Sequence, residues 1–197
     1  MPRLSELPWL LLIYLAQRRV VEGCQVCVVE SDANADEVFG KVEDALRLLE
    51  KYGPRFHARL RRDVKRLLFT ETSGGNYLTG LRTCRIAIDF ARRVPPLELA
   101  MMIVHEATHA RLSRRGFSYA DDCRERIERI CVGAEIAFAQ RVPGSDAAIG
   151  KAHALLEKEW WTSENSLDAT MAELRERGVP AWLTKIVRRF ARRRGRR

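Results

Sequence analysis

Two histidines and a glutamate stand at a spacing that could hold and use a metal ion. They lie in the segment Met101–Ala110, which reads MMIVHEATHA and places His105 and His109 four residues apart. Residues four apart lie on one face of an α-helix, where two imidazoles can bind one Zn²⁺. Glu106 is rotated by about 100° from His105, so we expect it to reach a water beside the metal as a general base. The pattern predicts metal-assisted hydrolysis.

A third protein ligand must come from further along the chain, because a catalytic zinc typically has three. A histidine six residues after His109 could supply this ligand, but Arg115 stands at that position. The next predicted helix, about 121–141, offers Glu125, Glu128 and Glu135. Glu128 and Glu135 flank the apolar face of that helix, whereas Glu125 is rotated further toward solvent. All three glutamates remain alternatives at this point.

The spacing of His105, Glu106, His109 and Glu128 resembles the HExxH-x18-E arrangement of gluzincin metallopeptidases. The stretches HEATHARL and RIERIC also resemble a group of small bacterial zincin-like metallopeptidases. The resemblance covers about residues 80–140. It implies zinc held by the two histidines and Glu128, with Glu106 as the general base, and Glu135 or Glu125 as rival ligands.

Two departures from this pattern qualify the resemblance. No GxMEN-like segment that would bind a free amino terminus is present, so exopeptidase specificity is not supported. Residues 129–131 read RIC, where thermolysin-like enzymes have an acidic partner for a ligand.

Other residues carry weaker signals. Tyr119 lies between the two site helices and could donate a hydrogen bond to an oxyanion, or could simply pack. In zincins a strand just before the HExxH helix lines the cleft and pairs with substrate, which by analogy assigns that role to the predicted strand Leu81–Phe90. We expect His57 and His153 to face solvent.

The elements that must position these residues predict a mostly helical α+β fold, a zincin-like domain with a small β-hairpin or sheet beside the HExxH helix. The hairpin is predicted to have arms at Arg66–Thr70 and Leu81–Phe90, around a turn at residues 73–76. Helices are predicted for an apolar N-terminal segment and for about 32–52, 54–64, 97–114, 121–141, 145–161, 167–177 and 181–194.

Composition places the charge at one end of the chain. Of 197 residues 46% are hydrophobic, enough for one core, and the formal net charge is +9. Residues 185–197 contain eight basic residues and no acidic one, so residues 1–184 are close to neutral. We expect a domain over 1–184 and a basic tail over 185–197. Such a tail is typical of a solvated terminus, or of weak contact with nucleic acid or anionic lipid.

Cysteine usage favours a reducing compartment. The five cysteines are an odd number, and Cys24 and Cys27 form a CxxC without a second pair to complete a zinc site. Their strand-like setting predicts two small buried residues. The longest apolar run, Leu7–Ala16, is shorter than the roughly 20 residues that span a bilayer. These features predict a cytoplasmic protein.

The first hypothesis is therefore a zinc-dependent peptidase acting on a peptide or protein substrate. One alternative is a zincin-like binding or regulatory protein without turnover, against which the intact Glu106 argues. Another is a nucleic-acid-associated protease anchored by the basic tail.

Overall fold

A computed structural model describes residues 7–30, 32–71, 75–117 and 121–157. The chain divides into two compact units, Met1–His153 and Ala154–Arg197, and nearly everything described belongs to the first. The predicted basic tail and the predicted boundary after residue 184 lie outside the described residues.

Helices dominate the described ranges, and a five-stranded sheet accompanies them, which confirms the predicted α+β fold. In chain order the elements are α1 (Leu7–Leu15), β1 (Gln17–Val21), β2 (Cys24–Val28), α2 (Asp32–Tyr52), α3 (Pro54–Asp63), β3 (Arg66–Thr70), β4 (Gly75–Leu78), β5 (Thr83–Ala87), α4 (Ile88–Arg93), α5 (Pro96–Arg114), α6 (Asp121–Ala139) and α7 (Asp146–Glu157). None of these helices is both long and apolar enough to cross a membrane.

The sheet is mixed, with the strand order β1-β2-β3-β5-β4. Its centre, β2, β3 and β5, is parallel, and the strands at its edges, β1 and β4, are antiparallel to their neighbours. The predicted hairpin is wrong in its pairing, because β3 lies parallel to β5 and residues 75–78 form a separate edge strand. Every residue of β5 is buried, as expected of a strand covered on both faces.

Helices cover both faces of the sheet. On one face, α2 contacts β1 and β2, while α5 contacts β4 and β5. On the other, Ile13 of α1 and Ala16, which follows that helix, pack against Cys27 and Leu68. Cys24 and Cys27 are free and buried, which confirms their predicted role as small core residues.

Helix α5 is held in place from several sides. It begins at Pro96, whose fixed φ suits a first helical position, and Gly116 follows its end with a positive φ of 84°. It packs against α2, α3, α6 and β4, and its contact with α6 is the most extensive between any two described elements. The HExxH segment therefore lies in the middle of a buried helix.

Candidate metal centre

Helix α5 presents the HExxH residues on one buried side. His105 and Glu106 are buried, and His109 is largely so. The imidazole rings of His105 and His109 lie close together, with 3.1 Å between their Nε2 atoms. The prediction that these two histidines lie on one face of a helix is confirmed.

Helix α6 presents three further side chains to this pair. Glu128, Cys131 and Glu135 follow one another at intervals of three and four residues, so they form a single stripe along the helix. All three are buried. Two neighbouring helices thus bring five potential metal ligands, and Glu106, into one small region.

The two imidazoles and Glu128 converge at distances that suit a metal ion. The Nε2 atom of His105 lies 3.2 Å from Oε2 of Glu128, and Nε2 of His109 lies 3.6 Å from its Oε1. Ligands about 2.0–2.1 Å from a tetrahedral zinc are about 3.3–3.4 Å apart. The three separations, 3.1, 3.2 and 3.6 Å, are close to that value. This donor set fits zinc.

Cys131 is a ligand candidate that sequence reasoning missed, because a cysteine on the apolar face of a helix is typical of a core residue. Its Sγ and one nitrogen each of His105 and His109 all lie within 4.8 Å of one another, a cluster that could hold a metal ion. A zinc bound to one thiolate and one imidazole would separate those two atoms by about 3.6 Å. The signal was its position three residues after Glu128, on the same side of the helix.

Glu135 contacts the far side of His105. Its Oε1 lies 2.5 Å from Nδ1 of that ring, while Nε2 faces Glu128 and His109. A carboxylate on the second ring nitrogen fixes the tautomer and orientation of a ligating histidine. This contact supplies the acidic partner that the sequence lacks directly after Glu128.

Glu106 is buried beside the edge strand β4. A Cβ placed on Gly75 would lie 2.5 Å from its Oε1, so a larger residue there would force the carboxylate to shift. Its Oε2 is buried and receives no hydrogen bond from any residue in the described ranges. Burial raises the pKa of Glu106 to about 7, although the nearby His105 opposes this shift.

The ionisable groups of the candidate site have strongly different pKa values. Burial lowers the pKa of His105, but its contacts with Glu128 and Glu135 outweigh burial and raise it to about 10. Burial and the charge of His105 lower the pKa of His109 to about 4. Burial and the nearby carboxylates raise the pKa of the Cys131 thiol. Several ionisable groups are thus held out of water at once, an arrangement that a bound cation would compensate.

The remaining predicted site residues divide into three groups. Glu125 lies on the surface, 2.9 Å from Arg129, and does not join the cluster. Tyr119 lies outside the described residues. His153 faces solvent as predicted, whereas the prediction for His57 is wrong: its ring is buried and lies 3.1 Å from the carbonyl oxygen of Glu22.

The strand that was predicted to line the cleft lies inside the sheet and not at its edge. The segment Leu81–Phe90 contains β5, which has β3 on one side and β4 on the other, so its backbone groups are already paired. The strand at the sheet edge, beside Glu106, is β4. Alternation of apolar residues predicts a strand, but it does not reveal which neighbours that strand will have.

Comparison with protein-family models, with curated proteins and with solved structures found no match.

Proposed function

We propose that the protein is a zinc-dependent peptidase in which His105, His109 and Glu128 bind the metal and Glu106 is the general base. The observation that carries this proposal is the environment of the Glu106 carboxylate. Oε2 of Glu106 is buried beside the candidate ligands and receives no hydrogen bond within the described ranges, and a buried polar atom of this kind has no evident structural use. It has a direct use in proton transfer.

Each residue has a distinct task in this proposal. Zinc bound at this site would lower the pKa of a water molecule toward about 7 and polarise a substrate carbonyl. Glu106 would take a proton from the attacking water as its oxygen bonds to the carbonyl carbon, and would give that proton to the amine nitrogen as the C–N bond breaks. Glu135 contacts Nδ1 of His105 and so orients the ring with Nε2 toward the candidate ligands.

The edge strand β4 offers a place for the substrate. An extended peptide can add to an exposed sheet edge through backbone hydrogen bonds. Gly75, at the start of β4, is next to the carboxylate of Glu106. A peptide paired with β4 would therefore pass close to the general base. This role replaces the one expected for the strand within Leu81–Phe90.

A second candidate function rests on Cys131. If its thiolate joined the two histidines and Glu128, the metal would have four protein ligands and no open position, as in structural zinc sites. The protein would then be a zinc-stabilised binding or regulatory protein. The two functions differ in whether Cys131 is a ligand and whether Glu106 matters.

The first test is metal content. We expect one zinc per chain after reconstitution, and loss of zinc from His109→Ala, because one of three ligands is removed. With Co²⁺ in place of zinc, a thiolate-to-metal absorption band that disappears in Cys131→Ser would support the second function. Absence of that band, with full metal content in Cys131→Ser, would support the first.

The second test is hydrolysis of a peptide library by wild type, Glu106→Gln and the matched control Glu125→Gln. The Glu106 variant should keep its zinc and lose activity by about 10²–10⁴-fold, as is typical of a lost acid–base group. The control, on the exposed side of α6, should behave as wild type. Equal activity in all three proteins would overturn the peptidase proposal.

A further inference from the structure

A pocket lies on the side of the α5–α6 pair that faces away from the candidate metal centre. It lies between α2, α3, α5 and α6 and has a volume of about 80 Å³. Its α5 lining includes Ile103, Ala107 and Arg111, which face away from His105 and His109 on the helix. Its α6 lining, Ile130 and Ala134, is likewise turned away from Glu128. The pocket is thus separate from the metal centre, although the two share both helices.

The lining of this pocket is apolar apart from a threonine and two arginines. The apolar walls come from Leu49, Phe56, Leu60, Ile103, Val104, Ala107, Ile130 and Ala134. Its volume of about 80 Å³ is several times the roughly 10–15 Å³ that one water molecule needs, so a short hydrocarbon chain can enter it. Among the described residues that line it, none is acidic. Its chemistry therefore suits a hydrocarbon group, not a sugar or a nucleotide.

The two arginines in the lining, Arg59 and Arg111, lack an acidic partner within the described part of the chain. Arg59 lies over the ring of Phe56, 5.7 Å from its centroid. The nearby carboxylate of Asp63 is held by Arg62 and Arg114. Burial, followed by the charges of Arg59, Arg115 and Arg62, lowers the pKa of Arg111. Among the described residues, Arg111 therefore lies near more positive than negative charge.

We propose that this pocket binds an amphiphilic anion, with a hydrocarbon body against the apolar walls and a carboxylate or phosphate head at Arg59 and Arg111. A guanidinium offers paired N–H donors that match either oxyanion. The apolar walls provide the affinity of the body through burial. The site does not depend on the proposed peptidase activity.

The test is calorimetric titration of the full-length protein with octanoate, octyl phosphate and the neutral octanol. One molecule of at least one anion should bind per chain, at least tenfold more tightly than octanol. Within the series hexanoate, octanoate and decanoate, affinity should rise about fourfold per added CH₂ until the pocket is full. No binding of either anion, or octanol binding as tightly as both, would overturn the proposal.

Two pairs of variants locate the binding. Arg111→Gln should weaken anion binding about 10–100-fold, while Arg115→Gln, which is exposed and outside the lining, should not. Ala134→Leu should obstruct the pocket, whereas Ala137→Leu, exposed on the same helix, should not. Binding that is insensitive to both Arg111→Gln and Ala134→Leu would overturn the proposal. If Ala134→Leu does not fold, the arginine pair still decides.

A metal ion could also attract these anions, so the titrations are repeated with metal-free protein. Binding that persists without metal supports the pocket. Binding that requires metal places the anion at the metal centre and overturns the proposal, without affecting the proposed peptidase. Zinc content should be unchanged in Arg111→Gln.

Discussion

The two sides of the α5–α6 helix pair differ in the interactions that stabilise them. The side with the candidate metal centre buries Glu106, Glu128 and Glu135 beside two histidines, whereas the opposite side is lined by mostly apolar residues with two arginines. Buried charges are costly unless their partners stand at suitable distances, so the first side tolerates little displacement. Hydrophobic contact is non-directional, so the second side should tolerate conservative exchange. Substitutions that distinguish the two sides test this difference.

The largest effect among these is expected at Gly75. Alanine there would place a Cβ 2.5 Å from Oε1 of Glu106 and 3.2 Å from the sulfur of Met102, so the carboxylate or the strand must shift. A displacement of about 1 Å at a reacting group can cost about 10²-fold in rate. We therefore expect Gly75→Ala to reduce peptide hydrolysis by about that factor while zinc content is retained.

Gly133→Ala is the matched control for this substitution. A Cβ at Gly133, on the exposed side of α6, would meet no heavy atom within 4 Å. Alanine in a helix interior should raise the free energy of unfolding by about 0.5–1 kcal/mol and leave hydrolysis unchanged. Equal activity of both alanine variants would show that the space beside Glu106 is not restricted.

Glu135 should show an effect on metal affinity. Glu135→Gln keeps the shape of the side chain but removes the charge that faces Nδ1 of His105. Loss of such a partner typically lowers metal affinity by about 10–100-fold. Competition with a chelator measures this change, with Glu125→Gln as the control. If Glu135→Gln bound no zinc at all, Glu135 would have to be a ligand itself.

The smallest effect is expected on the opposite side of α5. Ile103 is fully buried and lines the apolar pocket. Ile103→Val should lower the free energy of unfolding by about 0.5–1.5 kcal/mol, which thermal denaturation can measure, and should leave zinc content and hydrolysis unchanged. Loss of zinc from this variant would show that the two sides of the helix pair are not independent.

The sequence predicted the helices of the metal centre well because their signals are local. The HExxH spacing, Pro95-Pro96 before it and Gly116 after it define α5 without reference to the rest of the chain. The position of Glu128 on α6 followed from the same periodicity. Its contact with both imidazoles then agrees with the ligand set that the resemblance implied.

What the sequence did not predict depends on how distant segments meet. Whether Glu135 would face Nδ1 or Nε2 of His105 depends on how the two helices pack, and so does the approach of Cys131. The edge position of β4 depends on parallel pairing between β3 and β5, which no local pattern specifies. The pocket is lined by residues from four helices, so no single sequence motif predicts it.

The order of assembly follows from where the contacting residues lie in the chain. Strands β4 and β5 pair residues at most 11 apart, such as Gly75 and Ile86, whereas the contact between His105 and Glu135 joins residues 30 apart. Contacts between residues that are close in the chain tend to form earlier than contacts between distant ones. For the proposed peptidase we therefore expect the strand beside Glu106 to form before α6 completes the ligand set, so that a nascent chain acquires its zinc late.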